Sequence, residues 1–170
     1  MFTRFFGLST LTAAVLFFGA APRIADEPRE FESAMYGFEI DPPRFKVDAE
    51  AMTANVAYFF APPTDEFSPN LSIVRHKHTT EFAKYVELSN AQFVTGGMTV
   101  KSSKAFSIDG HEAHQWMYAA TLGEHQLEFL ACAVKQDGFV LLFTYTALSA
   151  DFERFRPVFE ASLGSLKLER

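Results

Sequence analysis

The chain has 170 residues and a mass of 19.1 kDa, the size of one ordinary domain, and its 20 phenylalanines and 48% hydrophobic content exclude a disordered chain. Its single cysteine excludes a disulfide framework and a zinc site made of several thiolates. With 21 acidic against 15 basic residues, the net charge of -6 argues against binding to the phosphate backbone of nucleic acids.

Residues 1–21 have the pattern of an export signal. Arg4 is the one charged residue, and residues 5–21 are uncharged, with an apolar stretch at 11–18 that is shorter than the ~20 residues of a bilayer-spanning helix. No cysteine lies directly after the apolar stretch, which excludes lipid attachment at a processed cysteine. We therefore predict that residues 1–25 are a signal peptide or an N-terminal anchor, and that the domain is periplasmic, lumenal or extracellular.

Residues 26–34 are rich in charge and contain a proline, which is typical of a linker, so we predict that the folded domain spans residues 35–170. Three short strands are predicted next, at residues 36–40, 55–60 and 71–78. The first two end at pairs of prolines, which cannot donate to a strand ladder. These strands are therefore expected to stop there or to lie at an edge.

A helix is predicted after the third strand. Thr79 or Thr80 is expected to cap its N-terminus, and the glycine pair at residues 96–97 is expected to end it. Its apolar residues fall on one stripe, which predicts that the helix packs on a sheet.

The next fifty residues predict an antiparallel meander. Three dipeptides suited to two-residue hairpin turns occur at residues 109–110, 123–124 and 137–138. The four strands that these turns separate are predicted at residues 100–108, 112–122, 126–134 and 139–147. Residues 139–143 are continuously apolar, which is typical of a central strand covered on both faces.

A second helix is predicted to start at a Ser149 cap. Because proline removes a helix hydrogen bond, Pro157 is expected to kink this helix or to divide it into two short helices. Two helices and six or seven mostly antiparallel strands predict an α+β domain, with a central antiparallel sheet and the helices packed on it.

The histidines are the candidate metal ligands. His76 and His78 stand two residues apart on one predicted strand, so their side chains share a face. His111, His114 and His125 would have to complete such a site, because a metal site in a protein needs three or four ligands. The alternative is that both are polar residues at a solvent-facing strand end, where Arg75 and Lys77 repel a cation.

Other reactive groups are predicted to have structural roles. Cys132 lies in an apolar strand, where burial would leave its thiol inert. The acidic residues Asp48, Glu50, Asp65 and Glu66 could bind calcium, but a solvated loop fits them better. Nucleophile and phosphate-binding motifs are absent from the sequence, so we predict no catalytic residue and no cofactor.

The aromatic residues allow two interpretations. They could form an exposed face for a ligand or partner, or they could belong to the core, which we favour. The residues concerned are Phe59, Phe60, Trp116 and Tyr118.

The order of these elements resembles the PsbP-like superfamily, to which DcrB-like bacterial envelope proteins and the Mog protein belong. The resemblance spans about residues 35–168. The segments that carry it are 36–40, 41–45, 70–73, 145–152 and 159–166. It implies a Mog/PsbP-like α/β sandwich and a protein without catalytic activity, and it assigns a role to no individual residue.

We therefore expect an exported, non-catalytic binding or accessory protein that contacts a protein complex of the cell envelope or membrane. Nucleic acid is not an expected partner. The membrane would be reached only through an uncleaved segment at residues 5–21, because anionic lipid repels an acidic domain. The alternative is a module that binds a metal ion or small ligand near His76 and His78.

Overall fold

The computed structural model describes residues 30–43, 46–47, 57–63 and 67–169. The predicted leader lies outside these ranges, as do the four acidic residues of the calcium alternative. The strands are β1 (Phe31–Ser33), β2 (Phe38–Ile40), β3 (Lys46–Val47), β4 (Ala57–Phe60), β5 (Asn70–Lys77), β6 (Thr99–Ile108), β7 (His111–Leu122), β8 (His125–Gln136), β9 (Phe139–Leu148) and β10 (Lys167–Leu168). The helices are α1 (Phe82–Thr95) and α2 (Phe152–Gly164).

Seven of these strands form one antiparallel sheet, in the order β3-β4-β5-β9-β8-β7-β6. The predicted meander is therefore confirmed, and its last strand pairs back to β5. The turn between β6 and β7 has positive φ at Asp109 (50°) and Gly110 (88°), the geometry of a tight hairpin that matches the strand twist. The prediction of a central β9 is confirmed, because three strands lie on each side of it.

One face of this sheet is covered by α2 and by a second, three-stranded sheet of order β1-β2-β10. We call it the α2 face. It receives alternate residues of β9, including Leu141, Phe143 and Tyr145, all of them fully buried. Phe38 of the small sheet and Phe159 of α2 close over them, and the Phe38 and Phe143 rings meet edge to face at 5.4 Å.

The opposite face of the sheet, the α1 face, is partly covered by α1. Trp116 and Tyr118 of β7 are buried there with Phe129 of β8. Phe93 of α1 stacks on Tyr118 at 4.5 Å, and the Trp116 indole N–H donates to the Asn90 side chain at 2.9 Å. The two helices and two cores confirm the predicted α+β class.

The structure differs from the predictions at the N-terminal side of the domain. The strand β1 falls inside residues 26–34, which were predicted to be a linker. Its Phe31 ring lies 5.4 Å from Phe59 and 6.0 Å from Phe38, so one aromatic residue attaches this charged segment to the core. The division into leader, linker and domain otherwise stays a prediction. The next strand begins at Phe38, because Gly37 has φ 61° and belongs to the preceding turn.

Neither helix is capped where it was predicted to be. Glu81 is the N-cap of α1 and Asp151 that of α2, and neither makes a side-chain cap hydrogen bond. The second helix is continuous through Pro157, so the alternative of two short helices meeting there is wrong, and the kink stays a prediction. Its buried Phe152 and Phe159 lie on either side of the proline, and their packing offsets the one hydrogen bond that proline removes.

Candidate functional site

His76 and His78 meet at the end of β5, where both contact Tyr85 of α1. The Nδ1 atom of His76 lies 2.9 Å from the Tyr85 hydroxyl, and the ring of His78 meets the Tyr85 ring edge to face at 5.3 Å. Burial lowers the pKa of His76 and raises that of Tyr85, so both side chains are neutral at pH 7. Both histidines contact the same side chain, Tyr85, which agrees with the prediction that they share one face of the sheet.

The contacts that the His78 ring makes at this site compete with metal binding. The Nε2 atom of His78 lies 3.2 Å from the backbone carbonyl oxygen of Glu81 and 3.1 Å from the Thr80 hydroxyl. A ring nitrogen that faces a carbonyl oxygen donates its proton and has no lone pair for a metal. Within the described ranges, no three His, Cys, Asp or Glu side chains converge to hold a metal ion. The metal site at His76 and His78 stays a prediction.

The other three histidines lie apart from this pair. His111 contacts the backbone carbonyl oxygen of Lys135 at 3.2 Å, and the His125 ring lies 5.8 Å from the Phe67 ring. His114 lies on β7, three strands away from β5, which is about 14 Å at the usual strand spacing. The structure therefore does not bring the five histidines together.

His114 and Ser103 form a pair that the sequence did not predict. The Nε2 atom of His114 lies 2.7 Å from the Ser103 hydroxyl oxygen, and burial lowers the pKa of the imidazole, so the neutral ring could accept a proton from the serine. The two residues are eleven positions apart and meet only because β6 pairs with β7. A nucleophilic pair also needs a group that orients the imidazole, and no described residue makes a hydrogen bond to Nδ1 of His114.

The remaining candidates are structural. Cys132 is fully buried, and burial raises the pKa of its thiol to about 12, which confirms the prediction of an inert core residue. Phe59, Trp116 and Tyr118 are buried as well, while Phe60 is half-buried. Core packing therefore explains these aromatic residues better than an exposed aromatic face does.

A cleft of about 290 Å³ opens at the small sheet and is lined by residues of β1, β2 and β10. Lys167 lies in it and forms an ion pair with Glu39, which lowers the pKa of that carboxyl and raises the pKa of the lysine. Glu32 and Glu169 also line the cleft. The one cation of this acidic cleft is thus already paired.

The most accessible long element of the described structure is β6. It pairs with β7 on one side, and the described residues place no strand on the other side. Eight of its ten residues are exposed, and Phe106 and Ile108 are half-buried. The sequence predicts this strand but not its place at the edge. A signal was present, because residues 99–105 lack the regular apolar alternation of a covered strand.

No helix of the described residues is long and apolar enough to cross a membrane. No family model matches the sequence, and no curated protein matches it. Solved structures do match the fold.

Three of these structures cover most of this chain. LpqN of Mycobacterium tuberculosis, involved in cell envelope biogenesis, is 13% identical, with a TM-score of 0.66 over 85% of this chain and 91% of its own. CyanoP, the PsbP of the cyanobacterium Synechocystis sp. PCC 6803, is 14% identical, with a TM-score of 0.58 over 89% and 97%. PA94 of Pseudomonas aeruginosa, a putative regulator of unknown function, is 16% identical, with a TM-score of 0.58 over 80% and 93%.

These similarities confirm the predicted resemblance at the level of the fold: the chain has the Mog/PsbP-like fold. Identities of 13% to 16% assign no activity and no functional residue.

Proposed function

We propose that this protein is an exported, non-catalytic accessory protein of the cell envelope that acts through protein–protein contacts. The observation that carries the proposal is β6, a ten-residue strand at the end of a seven-stranded sheet, whose outer edge pairs with no strand of the described residues. Exposed edge strands of this length pair readily with another chain, and proteins that do not use such a strand for binding usually cover or shorten it. A long open edge is therefore suited to binding a partner.

Two further features support an envelope role. The leader pattern at residues 1–25 favours export, with membrane attachment through residues 5–21 if the leader is retained. LpqN, which shares the fold, is involved in cell envelope biogenesis. The proposed partner is an envelope or membrane protein complex, and nucleic acid is not proposed as a ligand because the chain is acidic.

The contacts of His76, His78 and His114 support this proposal better than they support catalysis. The His76 and His78 contacts with Tyr85 hold the start of α1 against the end of β5, which is a packing role. The Ser103 hydroxyl that meets His114 lies on the open edge strand. A substrate there would remain in water, whereas catalytic sites usually exclude it.

The test is a cross-linked pull-down of the tagged full chain from its own envelope, followed by mass spectrometry. The control is an unrelated tagged domain carried by the same residues 1–25, which reproduces export without the sandwich. Reproducible enrichment of one complex over this control is the expected result. Equal recovery with both baits would contradict the proposal.

A further inference from the structure

The edge strand β6 is regular over its second half. A bulge interrupts its pairing with β7 between Val100 and Ser102, and the register is then continuous from Ser103 to Ile108. An edge strand leaves half of its backbone N–H and C=O groups free of the ladder. Residues 103–108 therefore offer about six residues of regular backbone to an added strand, which is enough for the strand-addition mode of peptide recognition.

The two faces of this segment differ in chemistry. Ser103, Ala105 and Ser107 point to the α1 face, where they are small and exposed. Lys104 and Phe106 point to the α2 face, two residues apart. An added strand would thus meet small residues on one face and a cation beside an aromatic ring on the other.

The charge of β6 selects the kind of partner. The strand contains Lys101 and Lys104 and no acidic residue. Lys101 is paired with Glu128 at 2.6 Å, whereas Lys104 has no ion pair in the part of the chain that the structure describes. Opposite charges on paired strands attract, so Lys104 favours an acidic side chain on the added strand.

The same charges argue against a second copy of this chain. A twofold axis at Ala105, near the middle of residues 103–108, would place Lys104 of one copy diagonally across the strand pair from Lys104 of the other. Like charges that face each other across a strand pair are destabilising, and neither copy of β6 has an acidic residue to relieve them. The occupant that fits is another protein.

We propose that β6 binds an extended, acidic segment of a partner protein, which adds to the sheet as an eighth strand along residues 103–108. An acidic side chain of the segment pairs with Lys104, and the next residue on that face packs on Phe106. This inference rests on the proposed function, because it names the surface and the chemistry through which the accessory protein would bind its partner.

A defined peptide tests the chemistry. The probe is the capped, fluorescein-labelled peptide Thr-Glu-Thr-Val-Thr-Glu-Thr-Val, and its control replaces both glutamates by lysine. Binding to the full chain is measured by fluorescence anisotropy at two salt concentrations, because an ion pair at the surface weakens with salt. We expect the acidic peptide to bind at least tenfold more tightly than the lysine peptide. Equal affinity for the two peptides would overturn the proposal.

Two variants with the same charge change test the location. Lys104→Glu is expected to weaken binding of the acidic peptide at least tenfold. Lys77→Glu, on β5, places the same charge on an exposed strand residue far from this edge and is expected to change binding less than twofold. Equal loss in both variants would show that only overall charge matters and would overturn the assignment to β6.

Repeating the envelope pull-down with these full-length variants separates this inference from the proposed function. Loss of the enriched complex with Lys104→Glu, but not with Lys77→Glu, supports both. Retention with both variants overturns the role of β6 and leaves the accessory function standing. Failure of the unmodified chain to enrich any complex overturns the proposed function itself.

Discussion

The strands β6 and β9 belong to the same meander and have the same length of ten residues, yet they have opposite environments. β9 lies at the centre of the sheet, where Leu141, Phe143 and Tyr145 are fully buried under α2 and the small sheet. Eight residues of β6 are exposed, and within the described ranges no strand pairs with its outer edge.

The difference between β9 and β6 separates a role in stability from a role in binding. A strand that is paired on both sides and covered on both faces contributes most of its surface to the core, so it stabilises the fold. A strand at the edge of the sheet pairs with a neighbouring strand on one side only, so the backbone groups on its other side are available to a partner. Substitutions in β9 should therefore change the free energy of unfolding, and substitutions in β6 should change binding.

The largest expected effect comes from matched truncations in the two strands. Phe143→Ala should lower the free energy of unfolding by about 3–5 kcal/mol, because the side chain is fully buried and leaves a cavity. Phe106→Ala removes the same atoms from a half-buried site and should cost less than half as much. Urea unfolding followed by circular dichroism measures both. Equal losses of unfolding free energy in the two variants would contradict the difference between β9 and β6.

A smaller effect is expected from the polar contact that joins β9 to α2. The Tyr145 hydroxyl donates to the Ser162 hydroxyl oxygen at 3.1 Å, and both residues are buried. Tyr145→Phe should cost about 1–2 kcal/mol of unfolding free energy, since it removes a buried hydrogen bond and leaves the serine without this donor. Ser162→Ala completes a double-mutant cycle. Full additivity of the two losses would show that the contact does not couple the strand to the helix.

His76 of β5, a strand that pairs with β9, is expected to make the free energy of unfolding weakly dependent on pH. Burial holds the pKa of His76 below its ordinary value, so the unfolded chain binds the proton more readily than the folded one. Stability is then complete above about pH 6.5 and falls as the pH drops further, through the folded pKa. In the His76→Gln variant, the free energy of unfolding should therefore fall less between pH 7 and 5 than it does in the unmodified chain. An unchanged slope of unfolding free energy against pH would contradict the assignment.

The smallest effect on stability is expected in β6 itself. Lys104 is exposed and has no ion pair within the described ranges, so Lys104→Glu should change the free energy of unfolding by no more than about 0.5 kcal/mol. Its effect belongs to binding instead. A loss of more than about 1 kcal/mol in thermal or urea unfolding would show that the edge strand contributes to the core after all.

The meander was predictable because its signals are local. Turn dipeptides such as Asp109-Gly110 require backbone angles that few other residues adopt, and the continuous apolar residues 139–143 predict burial on both faces. The strand β1 was missed because one aromatic residue, Phe31, attaches a charged segment to the core. Its burial depends on Phe38 and Phe59, which no local pattern connects to it.

The candidate sites were less predictable because they depend on strand order. The spacing of His76 and His78 predicts a shared face, but their partner Tyr85 is set by how α1 crosses the sheet. The contact between Ser103 and His114 requires the pairing of β6 with β7. The sequence shows that β6 is polar, but it does not show which of the polar strands ends the sheet.

The most direct test of an open edge at β6 is hydrogen exchange of the full chain, compared between β6 and β9. We predict that backbone amides throughout β9 exchange only when the whole domain unfolds, whereas about half of those in β6, the ones that point away from β7, exchange as rapidly as unpaired amides. Protection of all β6 amides at the level of β9 would show that this edge is already covered and would contradict its availability to a partner.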